Sequence, residues 1–181
     1  MQRRTLLKLG VASGALLAVA GAGLALLKPG LERGQLSAPA KALMAALAGA
    51  VLEDALPLEA QARQLALQAH LERVDETIAG LPPPLQNELG ELLTVLISTP
   101  GRRLLAGLST DWPEASTSDV HAALQDMRLS TVAVRQQAYH AMRDLTHAAY
   151  FAHPDTWAYL GYTGQIPVSA AAKLAAKQAG T

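Results

Sequence analysis

The 181-residue chain has no cysteine. That excludes disulfide staples, cysteine-ligated iron–sulfur clusters, covalently attached c-type haem and thiol catalysis. A small domain without such staples is held together by packing alone. Aromatic residues are also scarce: two Trp, four Tyr and one Phe. Charge of one sign is lacking, since 15 basic residues balance 15 acidic ones. No Gly-rich phosphate loop follows a strand, and no G-x-S-x-G elbow is present. No alternating β-branched run is long enough for a strand. No unit repeats at a period of roughly 30 to 45 residues.

What is present begins with the first forty residues, which divide into three parts. A basic head carries Arg3, Arg4 and Lys8. An apolar stretch of Val, Ala, Leu and Gly runs from Leu9 to Leu27. A polar, turn-prone segment through Lys28, Pro29, Gly30, Glu32 and Arg33 ends at Ala38-Pro39-Ala40, with small residues where a signal peptidase looks for them. This is the layout of an export signal. Arg3-Arg4-Thr5-Leu6-Leu7-Lys8 narrows it to the twin-arginine route, with Arg3, Arg4, Leu6, Leu7 and Lys8 as the recognised residues. Cleavage after Ala40 is the expected processing step. Ala18-Val19-Ala20 and Ala20-Gly21-Ala22 are alternative sites. The apolar stretch approaches the roughly 20 residues that span a bilayer, so a retained anchor is the alternative to a cleaved leader. Gly10, Gly14, Gly21 and Gly23 weaken it as a spanning helix,.

Removing the signal changes the charge. Five basic residues and Glu32 lie before position 41, leaving 10 basic against 14 acidic residues beyond it. A domain with that balance has no nucleic-acid footprint. Its length of about 140 residues suits one domain. The reading is therefore a signal over 1–40, a helical domain over 41–168 and a flexible Ala/Lys tail over 169–181.

The domain reads as helix after helix, because Ala, Leu, Gln, Glu and Arg dominate it. Leu43, Leu47, Ala50 and Val51 predict a first helix over 40–54. Pro57 predicts the start of a second, with Leu58, Ala62, Leu65, Ala69 and Val74 as its apolar stripe and its end near Gly80. Pro82-Pro83-Pro84 introduces a third, carrying Leu85, Leu89, Leu92, Leu93 and Leu96. Pro100-Gly101 ends it, before a short helical turn over 102–108 and a loop over 109–116. Thr117 or Ser118 is placed to cap a fourth helix, with Asp119 in its first turn. A long helix follows over 131–150, with Val134, Ala138, Met142, Leu145 and Ala149 on one side. His153-Pro154 ends it, and a compact terminal segment starts at Trp157. The expected fold is all-α, a single domain of five or six helices.

Little in this domain reads as chemistry. His140, Asp144 and His147 share one helix face, an arrangement open to metal or acid–base use but explained as simply by surface pairing one turn apart. A stand-alone periplasmic enzyme built on these three residues is one alternative. A membrane-anchored scaffold that keeps Leu9 to Leu27 is another. His70 and His121 have no evident partners in the sequence. Glu53-Asp54 and Asp75-Glu76 read as solvated helix ends, and Arg102-Arg103 as an exposed turn.

The aromatics are not spread evenly. All but Trp112 fall between Tyr139 and Tyr162. Tyr150, Phe151, Trp157, Tyr159 and Tyr162 stand with Gly161 and Gly164 in a Gly/Pro-punctuated end. Such rings either cap the bundle or anchor a partner through rigid area and a polar tip. Ala149-Tyr150-Phe151, His153-Pro154, Trp157 and Gly161-Tyr162-Thr163-Gly164 together resemble the gluconate 2-dehydrogenase subunit 3 family. Its pattern is a helix ending in Ala-Tyr-Tyr, a short stretch, Trp, and then Gly-Tyr-Pro-Gly-Pro. Thr163 stands where that pattern has its first proline, and Gln165-Ile166 follows in place of the second.

The resemblance implies a non-catalytic small subunit that accompanies a glucose-methanol-choline-type flavoprotein dehydrogenase. FAD is then expected in the partner large subunit, with no cofactor in this chain. The same resemblance implies a cytochrome c subunit as electron acceptor, while the twin-arginine signal implies a periplasmic location, with association to the inner membrane through the signal or the complex. A cofactor-free sequence behind a twin-arginine signal agrees with this, because that route suits proteins exported already folded.

Overall fold

The computed structural model describes residues 28–161. The residues expected to form the export signal, Arg3, Arg4, Leu6, Leu7 and Lys8, lie outside the described residues, as do the apolar run Leu9–Leu27, Tyr162, Gly164 and residues 169–181. The described chain is an all-α domain of six helices preceded by one small hairpin. In order come β1 (Leu31–Glu32), β2 (Gln35–Leu36), α1 (Ala38–Val51), α2 (Ala60–Ala79), α3 (Pro83–Ile97), a single turn α4 (Thr99–Gly101), α5 (Thr117–Leu129) and α6 (Ala133–Phe151). A π-helical turn at Arg102–Ala106 continues α4. One-turn 3₁₀ segments occupy Glu53–Ala55 and Trp112–Glu114, and a longer one, Pro154–Leu160, closes the described chain. Among the described residues no helix is long and apolar enough to cross a membrane.

α1 is the centre of the bundle and touches α2, α3, α5 and α6. Its Ala-rich sequence explains this, because small side chains let neighbours approach on several sides. Ala40, Leu43, Met44, Leu47, Ala48 and Ala50 are all buried. α6 packs along both α2 and α5, and buries Ala138, Met142, Leu145, Thr146, Ala149 and Tyr150. Most of these fall on the stripe expected from the sequence. A main core joins these helices to Leu36, Leu93, Leu96, Trp112, Val120 and Met127. A second, smaller cluster of Ala48, Leu52, Leu56 and Tyr150 lies between the end of α1 and the end of α6.

Several boundaries differ from the sequence reading, each for a local reason. α1 starts at Ala38 because the Ser37 side chain caps it, and it ends at Val51, short of the expected 54. α2 starts at Ala60, not Pro57, because the Glu59 carboxylate accepts the backbone N–H groups of Gln61 and Ala62 at 2.9 and 2.6 Å. Those two bonds hold the Glu59 carboxyl below its ordinary pKa. The cap of α5 is Ser116 rather than Thr117 or Ser118, in a capping box with Asp119,.

The face of α2 also differs. Leu58 and Leu65 point outward, with 99% and 59% of their surface exposed. Val74 of the expected stripe is buried, together with His70 and Ile78, which are not on it. The loop before α5 is not open chain: Trp112 is buried in its 3₁₀ turn and donates its ring N–H to the Leu96 carbonyl at 2.8 Å.

The fold also starts before the expected boundary at Ala40. β1 and β2 pair antiparallel, Leu31 opposite Leu36 and Glu32 opposite Gln35, where no strand is expected from the sequence. The turn places Arg33 and Gly34 at positive φ, 54° and 80°.

Candidate functional site

The aromatic end of α6 is built from backbone needs upward. The last turn of any helix leaves carbonyls without intrahelical donors. Here side chains of the following 3₁₀ segment supply them. The Trp157 ring N–H donates to the Phe151 carbonyl at 2.8 Å. The Thr156 hydroxyl lies 2.9 Å from the Tyr150 carbonyl and 2.8 Å from that of His153, and donates to this pair. The Pro154–Leu160 segment is thereby folded back onto the helix it follows. Tyr159 lies on that segment. Gly161 follows it with φ of +68°, the left-handed region that glycine enters without a Cβ clash.

The rings form a graded set from inside to outside. Tyr150 is buried, and its hydroxyl donates to the Ala55 carbonyl at 2.9 Å, tying α6 to the 3₁₀ turn after α1. It is therefore a support for the surface rather than part of it. Phe151 stands edge-on to Tyr150, with centroids 5.1 Å apart and planes at 89°. Both Phe151 and Trp157 are half-buried. They present partly exposed apolar area above a fixed polar anchor.

A ridge leads away from this end along α6. Tyr139, Arg143, His147 and Phe151 recur every four residues, and all four are half-buried, so they lie along one ridge of the helix surface. The Arg143 guanidinium sits over the Tyr139 ring, 5.5 Å from its centroid. His147 and Phe151 have ring centroids 5.8 Å apart. Burial, then the nearby Arg143, lowers the His147 pKa from its ordinary value, and Asp144 opposes that shift. The four-residue spacing of this ridge is legible in the sequence, but only Phe151 is among the interface residues expected from it.

The histidine–aspartate group of the alternative enzyme reading is otherwise engaged. Both Nε and Nη2 of Arg143 bind one oxygen of Asp144, at 2.9 and 2.7 Å. The His140 ring meets the edge of Tyr139 at 5.1 Å. Among the described residues no group of three or more His, Asp or Glu is placed to hold a metal ion. His121, without an evident partner in the sequence, pairs with Glu53 at 3.1 Å on the surface.

His70, without an evident partner in the sequence, has none for its ring nitrogens in the fold either, but its burial is not legible in the sequence. It is fully buried on α2, with its ring 6.1 Å from that of Tyr150. Burial, with a further push from Arg73, lowers its pKa from 6.5 to about 4. Arg102, expected from the sequence in an exposed turn, is buried instead; it bonds through Nη1 to Asp111 and ties the π turn to the loop before α5.

Comparison with family models, with curated proteins and with solved structures finds no match for this chain.

Proposed function

We propose that this protein is a non-catalytic small subunit that escorts a flavin-dependent dehydrogenase through the twin-arginine translocon and stays bound to it in the periplasm. The observation that carries the reading is the union, in one chain, of the Arg3-Arg4 signal with the aromatic segment from Tyr150 to Gly164. The geometry of the described part of that segment supports it. Phe151 and Trp157 are half-exposed large rings with their backbone fixed beneath them, which is how aromatic anchors reduce the entropy lost on docking. FAD would then sit in the large subunit, and a cytochrome c subunit would carry electrons away.

Co-expression with the partner flavoprotein tests this. The partner is expected in the periplasm only when this chain is present. Replacing Arg3 and Arg4 by Lys is expected to trap both proteins in the cytoplasm. A partner that is exported equally well without this chain sinks the escort role. Trp157→Ala is expected to weaken the complex at least tenfold, the scale of an aromatic interface anchor. Co-purification at graded salt and competitor would read that loss.

A further inference from the structure

Ala38-Pro39-Ala40 has the small-residue pattern that a signal peptidase reads, but in the fold it is the first turn of α1. The Ser37 hydroxyl accepts the Ala40 N–H at 3.4 Å, and Ala40 is fully buried. The residues before it are tied to helices far along the chain. The Gly30 N–H donates to the Thr94 hydroxyl oxygen at 2.8 Å. The Leu36 N–H donates to the Asp75 carboxylate at 2.6 Å, and Lys41 pairs with the same carboxylate at 3.3 Å. The Ser37 N–H returns to the Gly30 carbonyl at 3.1 Å, closing the hairpin on itself.

Gly30 lies flat on α3. A Cβ there would stand 2.4 Å from the Leu93 Cβ and 2.5 Å from the Gly90 carbonyl oxygen. Leu31 in turn covers Gly90, and Leu36 is part of the main core. Gly30 to Ala40 is thus a clasp that closes α1 over α2 and α3, and not a linker.

Peptidases commonly take their substrate as an extended strand, in the manner of β-strand addition. A capped helical turn whose Ala40 is buried, though Ala38 is exposed, reaches that form only by local unfolding. Proteins on the twin-arginine route cross already folded, so this clasp is in place when the peptidase meets the chain. We infer that processing cuts on the N-terminal side of Gly30, after Ala18-Val19-Ala20 or after Ala20-Gly21-Ala22, and that the mature domain keeps Gly30 to Ala40 as part of its fold. This rests on the proposed twin-arginine export, both for the presence of the peptidase and for the chain's arriving folded.

Edman sequencing and intact mass of the periplasmic protein test the site. The expected N-terminus is Gly21 or Gly23. A chain beginning at Lys41, or one left uncut, overturns the inference. Absence of the chain from the periplasm would overturn export instead, and a second measurement then decides on the clasp. The purified full-length protein is treated with elastase, which cuts after small residues. Cleavage is expected upstream of Gly30, with Ala38 to Ala40 resistant. Thr94→Val, which removes the bond to Gly30, should speed cutting at Ala38 to Ala40 roughly fivefold to tenfold, as expected for loss of one buried hydrogen bond. Gly30→Val should open the site further. Native protein cut at Ala40 as fast as upstream, or an unchanged rate in both variants, overturns the clasp whatever the route of export.

Discussion

His70 makes the stability of this domain depend on pH over a definable window. Its imidazole titrates at about 4 in the folded chain against an ordinary 6.5. The unfolded chain therefore binds more protons than the folded one between those values, and stability falls as pH falls. The His70 contribution is fully present above pH 6.5 and is lost progressively from there down to about 4. Between pH 7 and pH 5 the linkage integral for these two pKa values amounts to about 2 kcal/mol.

His70→Leu isolates this term from every other titration. The buried ring has one N–H and one lone-pair nitrogen without partners,, so an apolar side chain of similar size is expected to leave stability at pH 7 unchanged or raise it by about 1 kcal/mol. At pH 5 the variant should exceed the wild type by about 2 kcal/mol more than it does at pH 7. Urea denaturation followed by far-ultraviolet circular dichroism, at half-unit steps from pH 7.5 to 4.5, measures both curves. Parallel curves would refute the reasoning, because they would mean that the imidazole finds a proton-accepting partner or water within the fold.

Other perturbations have separate causes and separate readouts. Trp112→Phe removes the donor to the buried Leu96 carbonyl and is expected to cost about 1–3 kcal/mol in chemical denaturation. Ser116→Ala breaks the capping box of α5 and should lower stability by about 1 kcal/mol, with Ser116→Asp recovering most of it. Met142→Ala opens a cavity at a position only 1% exposed, so a loss of about 2–5 kcal/mol is expected. Gly161→Ala places a side chain at φ of +68°. Its local cost of about 1–2 kcal/mol should appear as faster hydrogen exchange at Thr156 and Trp157 with little change in global stability.

The sequence made the helices easy to find and their edges hard. Proline punctuation and Ala/Leu composition separate α1, α2 and α3 cleanly, and the Ala138, Met142, Leu145 and Ala149 spacing identifies the buried side of α6. Caps are less legible, because Ser37, Glu59 and Ser116 compete with prolines and hydroxyls a few residues away that look equally suitable. α2 carries apolar residues on more than one side, so the expected stripe through Leu65 and Val74 and the observed one through His70, Val74 and Ile78 are both helical. The packing of α1 and α6 against it decides between them.

The hairpin leaves almost no local trace. Its strands are two residues each, and what holds them is contact with Gly90, Leu93, Thr94 and Asp75. Of the candidate site, the clustering of Tyr150, Phe151 and Trp157 is visible in the sequence. That Tyr150 turns inward to Ala55 is not, since the two are 95 residues apart.

The bond from Gly30 to Thr94 spans 64 positions, and this separation bears on the order of assembly. During synthesis the amide of Gly30 leaves the ribosome well before the hydroxyl that satisfies it. The segment from Gly30 to Ala40 therefore cannot settle until α3 has been made and packed. Contacts so far apart in sequence form late and slowly compared with helical turns. Pulse-labelled hydrogen exchange during refolding should show the Gly30 and Leu36 amides becoming protected after those within α2 and α3. Protection of the hairpin first would contradict this order. If the order holds, closure of the clasp reports that the helices it fastens, α2 and α3, have already folded.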